Sequence, residues 1–229
     1  MPWEHLQVLV MLSITGLFLG ARLGHCLLYE YEYYFAHPLE ILLPIRVKTD
    51  GTVVFSGYQG MASHGGLVGW MIAMVVYSRL TGEKVLRTLD TIALVLPLAA
   101  GFIRLGNLAN SEIIGVETDL PWAFIFERVD LVPRHPAQIY EALAYFFTFG
   151  VNLLLYRRLG LNRGRGVLLG NTLVLVFAAR FLIEFVKERQ VPFEDQMHLD
   201  VGQVLSIPFI LLGVFLLVRG LTGWKNRGQ

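Results

Sequence analysis

Residues 102–115 place a cation and several polar side chains at the end of an apolar segment. Their sequence is Phe-Ile-Arg-Leu-Gly-Asn-Leu-Ala-Asn-Ser-Glu-Ile-Ile-Gly, so Asn107 and Glu112 closely follow Arg104. An arginine at the centre of a membrane helix costs about 2.5–3.5 kcal/mol, and less near the interface. Arg104 is therefore a candidate functional residue. The alternative is a structural arginine that reaches the lipid headgroups or pairs with a carboxylate.

Residues 63–66, Ser-His-Gly-Gly, combine groups suited to acid–base chemistry and to anion binding. His64 is a candidate base, because histidine titrates near neutrality. The backbone N–H groups of Gly65 and Gly66 lie near a predicted helix N-terminus, where anions bind well. The alternatives are that Ser63 only caps the helix and that His64 is a satisfied interfacial histidine.

Two more stretches carry polar groups at the ends of apolar segments. Residues 134–141 read Arg-His-Pro-Ala-Gln-Ile-Tyr-Glu, in which Tyr140 is a catalytic candidate and Glu141 a binding candidate. The alternative is that Tyr140 and the nearby histidine form a packing corner. Arg180 and Glu184 lie four residues apart and share a helix face, so the alternative for them is mutual neutralisation.

Several arginines near a headgroup surface suit phosphate, which a guanidinium binds through two parallel hydrogen bonds. The sequence has no Walker loop, no His-Glu-x-x-His and no Gly-x-Ser-x-Gly. No cluster of His and Cys suggests a metal. The motifs therefore predict a phosphate clamp with a possible acid–base group, without a protein nucleophile or cofactor, so the nucleophile must come from a substrate.

The composition and the apolar runs predict the elements that position these groups. The chain has 229 residues, 55% of them hydrophobic. Runs of about 20 apolar residues are typical of transmembrane helices. We predict a single all-α, polytopic membrane domain over residues 1–229. Its six spans are Leu6–Tyr29, Met61–Leu80, Leu89–Ala109, Pro136–Tyr156, Val167–Val186 and Val201–Leu221.

The distribution of charge adds four expectations. A net charge of +1 does not favour nucleic acid as a partner. The loops at 81–88 and 157–166 and the C-terminal tail are richer in Lys and Arg than the alternate loops, which predicts that they are cytoplasmic. The polar groups of five spans, Arg22 included, then meet at the outer side. Asp90, on the inner side, is interpreted as a carboxylate stabilised by the start of its own helix.

Small residues recur every four positions in the first span, at Gly16, Gly20 and Gly24. This spacing places them on one helix face and predicts close packing against another helix. Cys26, the single cysteine, lies in the same apolar segment and is interpreted as a small hydrophobic residue.

Four motifs, in order over about residues 16–220, resemble the bacterial prolipoprotein diacylglyceryl transferase family. They are the runs at 64–69, 104–115, 134–141 and 180–184. The resemblance implies transfer of the diacylglyceryl group of phosphatidylglycerol to the lipobox cysteine of a preprolipoprotein, the first step of lipoprotein maturation. A thioether forms and glycerol phosphate leaves. It also implies an active site at the outer leaflet of the bacterial cytoplasmic (inner) membrane, with no metal and no cofactor.

The resemblance also implies roles for individual residues. Arg104 and Arg180 match arginines that hold the lipid phosphate, and His64 matches the histidine proposed to activate the incoming thiol. Glu141 and Glu184 are expected to orient the arginines. The catalytic candidates are His64, Arg104, Tyr140 and Arg180. The candidates for binding phosphatidylglycerol are Gly65, Gly66, Arg104, Asn107, Glu112, Gly115, Glu141 and Glu184.

The chain departs from the family pattern in two ways. The family normally begins with another span that carries a Tyr-Gly motif, giving seven helices, whereas this sequence starts at the second. Ile103 and Ser111 stand where glycines are usual. One alternative is an anion or lipid transporter in which the same arginines hold an anion during passage. The missing span adds a second alternative, an inactive, truncated paralogue that binds phospholipid.

Overall fold

The computed structural model describes residues 2–48, 51–55, 57–58, 60–159, 166–188 and 199–225. The predicted loops at 157–166 and 187–200 and the C-terminal tail therefore lie partly outside the described residues. The described helices are α1 Trp3–Leu28, α2 Tyr31–Ala36, α3 Leu39–Leu42, α4 Ser63–Thr81, α5 Val85–Asn110, α6 Ala137–Leu159, α7 Val167–Ile183 and α8 Val201–Lys225. The described strands, β1 Ile45–Val47, β2 Val53–Phe55, β3 Phe124–Ile125 and β4 Pro133–Arg134, form two antiparallel pairs, β1–β2 and β3–β4.

Five helices in the described part of the chain are long and apolar enough to cross a membrane: Trp3–Leu28, Val85–Asn110, Ala137–Leu159, Val167–Val186 and Gly202–Thr222. They confirm the predicted all-α, polytopic membrane fold. The remaining predicted span, Met61–Leu80, folds as the 19-residue helix α4 and is not among the five. Its polar start at residues 63–66 lowers its apolarity, although Leu67, Met71 and Ile72 still expose an apolar face.

The distribution of buried and exposed residues in this protein is the reverse of that in a water-soluble globular protein. Gln138, Glu141, Thr148 and Asn152 of α6 are fully buried, whereas large apolar side chains are exposed on every long helix. Polar residues that face a helix bundle and apolar residues that face outward are what a lipid environment requires. The burial pattern therefore supports a membrane location independently of hydropathy.

The chain divides into two compact units, residues 1–85 and 86–229. In the first unit, α1 packs closely along α4. A Cβ added at Gly20 would meet backbone atoms of Gly65 and Gly69, and one added at Gly16 would meet Gly69 and Ala73. The prediction that the glycine spacing of α1 serves close helix packing is confirmed.

Replacing Gly20 by alanine should destabilise this helix pair. The added methyl group has no room between the two backbones, and overpacking typically costs about 1–3 kcal/mol. We expect a lower midpoint of thermal unfolding in detergent, followed by circular dichroism. Gly150→Ala in α6 is the matched control, because a Cβ there meets nothing within 4 Å. A Gly20→Ala protein as stable as wild type would contradict the packing role.

Arg22 organises the loop that follows α1. Its guanidinium is buried and donates hydrogen bonds to the backbone carbonyls of Glu40, Ile41 and Gly60. It also lies over the ring of Tyr34, with 4.8 Å from Cζ to the ring centroid. Arg22 therefore has a clear structural role in anchoring this loop.

In the second unit, buried polar contacts join α5, α6 and α7. The Asn152 amide of α6 donates to the Ala93 carbonyl of α5 at 2.8 Å and to the Thr172 hydroxyl of α7 at 2.7 Å. The α7 and α8 helices meet at Gly170 and Gly213, each of which lacks room for a Cβ against the other's carbonyl. These contacts fix α5, α6 and α7 relative to one another.

Asp90 caps a helix that is distant in sequence. Its two carboxylate oxygens accept hydrogen bonds from the backbone N–H groups of Gly166, at 2.8 Å, and Leu169, at 2.9 Å. These donors lie at the N-terminus of α7, where the helix dipole favours a negative charge. The interpretation of Asp90 as stabilised by its own helix start is therefore wrong, because Asp90 is the sixth residue of α5 and binds α7 instead.

Candidate active site

Arg104 is held from two sides near the end of α5. Its Nε lies 2.7 Å from a carboxylate oxygen of Glu141 in α6, and its Nη1 donates to the Asn107 side-chain oxygen at 3.3 Å. The contact with Glu141 is an ion pair, since that oxygen accepts no well-angled hydrogen bond from the described residues. The Glu141 side chain is only 1% exposed and that of Arg104 is 17% exposed. The guanidinium therefore has a fixed direction.

The ion pair continues into a chain of four alternating charges. The other carboxylate oxygen of Glu141 lies 3.5 Å from Lys187 Nζ, and Lys187 lies 3.3 Å from a carboxylate oxygen of Glu184. The order Arg104, Glu141, Lys187, Glu184 links α5, α6 and the end of α7. Sequence analysis missed Lys187, although its three-residue spacing from Glu184 on a helical end was a usable signal.

Arg180, in the last turn of α7, belongs to the same neighbourhood. It lies four residues before Glu184, which pairs with Lys187 in the same chain of charges. Among the described residues Glu184 pairs with Lys187, and no ion pair joins Glu184 to Arg180. The alternative of mutual neutralisation is therefore not what the described residues show.

The residues after Arg104 form a tight bend. Asn107 donates from its amide to the Glu112 carboxylate at 2.7 Å, and the Glu112 N–H donates to the Asn107 carbonyl at 2.9 Å. The buried Gln138 side chain donates to the Glu112 carbonyl at 2.6 Å. Asn107 thus connects Arg104 to Glu112 through its side chain. The bend therefore fixes the positions of these three polar side chains relative to one another.

Gly115 lies where two backbone segments approach closely. Its N–H donates to the His135 carbonyl at 3.1 Å, and it bridges to Lys187 in an antiparallel arrangement. A Cβ at this position would meet the His135 backbone and the Val186 carbonyl. Only glycine fits here without displacing the chain. Close backbone packing therefore explains why a glycine occupies position 115.

Tyr140 lies in a small polar corner at the start of α6. Its hydroxyl accepts a hydrogen bond from Trp122 Nε1 at 2.8 Å and lies 3.2 Å from His135 Nδ1. This geometry matches the packing-corner alternative. A catalytic role for Tyr140 stays a prediction.

A partly buried ion pair lies in the loop beside this corner. Arg134 Nη2 lies 2.6 Å from Asp130, and its Nη1 donates to the Gly115 carbonyl at 3.3 Å. The hydrogen bond from Arg134 holds the pKa of the Asp130 carboxyl below its usual value. Its stabilising contribution is therefore present above the unfolded pKa of Asp130 and is lost as the pH falls through the folded pKa.

The remaining predicted residues lie in the first unit. His64 is exposed in the first turn of α4. The helix N-cap is Ala62 rather than Ser63, so the capping alternative for Ser63 is wrong. Gly65 packs against α1, and the N–H of Gly66 donates to the Ala62 carbonyl at 3.0 Å. Helix packing explains both glycines, and their binding of phosphate stays a prediction.

Within the described ranges, no group of three or more His, Cys, Asp or Glu side chains could hold a metal ion. The described charges therefore centre on Arg104, whose guanidinium is of the type that binds phosphate oxygens.

Comparison with known proteins agrees with this arrangement. The family described as prolipoprotein diacylglyceryl transferase matches residues 2–219. The chain is 49% identical over 202 residues to a phosphatidylglycerol–prolipoprotein diacylglyceryl transferase of Bacteroides fragilis, covering 88% of this chain and 73% of the relative. It is 48% identical over 221 residues to the protein of that name from Chloroherpeton thalassium, with coverages of 96% and 78%.

The chain belongs to the prolipoprotein diacylglyceryl transferase family. The resemblance inferred from the four motifs is thereby confirmed, and the transporter alternative is not favoured.

One departure from the expected prolipoprotein diacylglyceryl transferase pattern has a structural consequence. Ser111, at a position where the resemblance led us to expect glycine, has a φ of +59°, which lies in the left-handed region. Glycine adopts this conformation without a steric penalty, whereas other residues adopt it less readily. Ser111 thus keeps the bend after Asn110 that glycine would form more easily. Ile103 has an exposed side chain.

Proposed function

We propose that this protein transfers the diacylglyceryl group of phosphatidylglycerol to the cysteine thiol of a prolipoprotein. The observation that carries the proposal is the Arg104 guanidinium, which is fixed by the buried Glu141 carboxylate at 2.7 Å and by the Asn107 side-chain oxygen at 3.3 Å. The phosphodiester of phosphatidylglycerol carries one negative charge, and guanidinium groups bind such oxygens bidentately. The names of the relatives supply the two substrates.

The reaction needs a nucleophile, a leaving group and groups that stabilise the negative charge developing on the leaving group. The cysteine sulfur attacks the carbon of the diacylglycerol unit that is joined through oxygen to the phosphate. A C–S bond forms, and the bond between this carbon and the phosphate oxygen breaks. The electron pair leaves with glycerol phosphate. Arg104 and Arg180 stabilise the negative charge that develops on this group, which is usually the largest electrostatic contribution to catalysis.

The other predicted residues take supporting roles. His64 accepts the thiol proton, and a thiol with a pKa of about 8.5 needs only modest help to ionise. Glu141 orients Arg104 through the ion pair at 2.7 Å. Asn107, Glu112 and Gly115 maintain the bend next to Arg104.

We further infer the location and the partner. The excess of Lys and Arg in alternate loops places the opposite ends of the helices, with the arginines, at the outer side. The protein would therefore work in the cytoplasmic (inner) membrane of a bacterium, with its active site towards the periplasmic leaflet. Its protein substrate would be a preprolipoprotein signal peptide with a lipobox cysteine.

Incubation of the purified protein with phosphatidylglycerol and a lipobox peptide tests the function. We expect the peptide to gain the mass of one diacylglyceryl group on its cysteine, measured by mass spectrometry. A peptide with serine in place of that cysteine, and a sample without lipid, are the controls. An unmodified cysteine peptide after incubation with folded protein and lipid would contradict the proposal.

A further inference from the structure

Lys187 is a charged residue that the proposed reaction does not use, yet it is buried beside the residues that the reaction does use. Its relative exposure is 8%, and a lysine is rarely buried to this extent unless it is paired. Its Nζ lies 3.5 Å from Glu141 and 3.3 Å from Glu184. A cation held between two carboxylates has a defined position.

The backbone around Lys187 is fixed as firmly as its side chain. The N–H of Val116 donates to the Val186 carbonyl at 3.0 Å, and the N–H of Glu188 donates to the Ile114 carbonyl at 3.2 Å. These bonds tie Lys187 to the segment that ends the Arg104 motif, where Gly115 bridges to it. The backbone of residues 114–116 therefore fixes the position from which the Lys187 ammonium group reaches Glu141.

Glu141 is the link between Lys187 and Arg104. One of its carboxylate oxygens faces Arg104 Nε at 2.7 Å and the other faces Lys187 Nζ at 3.5 Å. A buried carboxylate that faces a single cation neutralises that cation more completely than one shared between two. Lys187 thus reduces the share of the Glu141 charge that falls on Arg104.

We propose that Lys187 is a positioning residue for phosphatidylglycerol binding, because it shares the negative charge of Glu141 and so leaves the positive charge of the Arg104 guanidinium less offset for the lipid phosphate. This inference rests on the proposed function and goes beyond it, since Lys187 acts on the substrate through Glu141. Within the described chain the four charges from Arg104 to Glu184 balance, so the loss of Lys187 leaves one uncompensated negative charge beside Arg104.

Lys187→Met tests the proposal by steady-state kinetics of peptide lipidation. We expect the KM for phosphatidylglycerol to rise about tenfold or more, the change expected for one lost interaction between buried charged groups. The KM for the peptide should change less than about twofold, within the spread of independent sites. Lys187→Arg keeps the positive charge and should retain most of the wild-type lipid KM.

A structural role alone would give a different result. Loss of folded protein lowers the apparent kcat and the unfolding midpoint but leaves the lipid KM unchanged, and that outcome would overturn the proposal. Arg219→Met is the matched control, because it removes an exposed cation of α8. Should Lys187→Met fail to fold, Lys187→Gln keeps a donor for Glu141 without the charge and should raise the lipid KM in the same way.

A double-mutant cycle tests whether Lys187 acts through Glu141. Binding of fluorescent phosphatidylglycerol needs no turnover, so it can be measured for Glu141→Gln as well. Lys187→Met should weaken lipid binding in the wild-type background and have little effect in the Glu141→Gln background. Equal weakening in both backgrounds would mean that Lys187 acts independently of Glu141, and the proposal would be wrong. An inactive wild-type protein would instead contradict the proposed function.

Discussion

Arg104→Ala should reduce diacylglyceryl transfer by more than about 100-fold, the loss typical of removing one preorganised donor to a developing negative charge. The guanidinium is fixed by Glu141 at 2.7 Å and by Asn107 at 3.3 Å, so no neighbouring side chain can replace it without rearrangement. Initial rates of peptide lipidation, measured by mass spectrometry, give the ratio of the variant to wild type.

The Arg104→Ala variant should still fold. Glu141 loses its closest cation but keeps Lys187 at 3.5 Å, so its buried carboxylate is not left without a counter-charge. Arg104→Lys is the informative companion, because it keeps the charge and loses the planar fork, and we expect it to remain strongly impaired. Arg158→Ala, at the exposed end of α6, is the control. Near-normal turnover of folded Arg104→Ala would remove the phosphate-clamp assignment.

Asp90→Ala should lower the free energy of unfolding by about 2–3 kcal/mol, because two charge-assisted hydrogen bonds to a helix N-terminus are lost together. The N–H groups of Gly166 and Leu169 would then have no Asp90 oxygen to bind. Asp90 is 3% exposed, so water cannot easily replace the carboxylate. Unfolding in increasing concentrations of a denaturing detergent measures the change.

Two further variants make the Asp90 result specific. Asp90→Asn keeps one side-chain acceptor oxygen and should lose roughly half as much stability as Asp90→Ala. Asp119→Ala removes an exposed carboxylate from the loop after α5 and should change stability by less than about 0.5 kcal/mol. Equal stability of Asp90→Ala and wild type would show that the cap of α7 contributes little.

Much of the fold could be predicted because its signals are local. A run of about 20 apolar residues implies a membrane helix wherever it occurs, since the backbone must satisfy its own hydrogen bonds in lipid. The glycines of α1 could be read in the same way, because residues four apart share a helix face. The polar start of α4 at residues 63–66 predicts an anion site, whereas the structure shows Gly65 packed closely against α1.

Part of the candidate site could likewise be predicted from the local sequence. The link from Arg104 through Asn107 to Glu112 could be predicted as a group because all three residues lie within one helix end and the bend after it. The sequence by itself thus determined the membrane fold, the family and the arginine motifs.

The tertiary structure alone decided the charge pairs between residues far apart in sequence. Lys187 and Glu141 are 46 positions apart, and Asp90 and Gly166 are 76 apart. Local spacing suggested Arg180 as the partner of Glu184, but the described structure gives Lys187 instead. The physical reason is that a buried charge takes the counter-charge that helix packing brings within a few ångströms, and that packing depends on contacts along the whole chain.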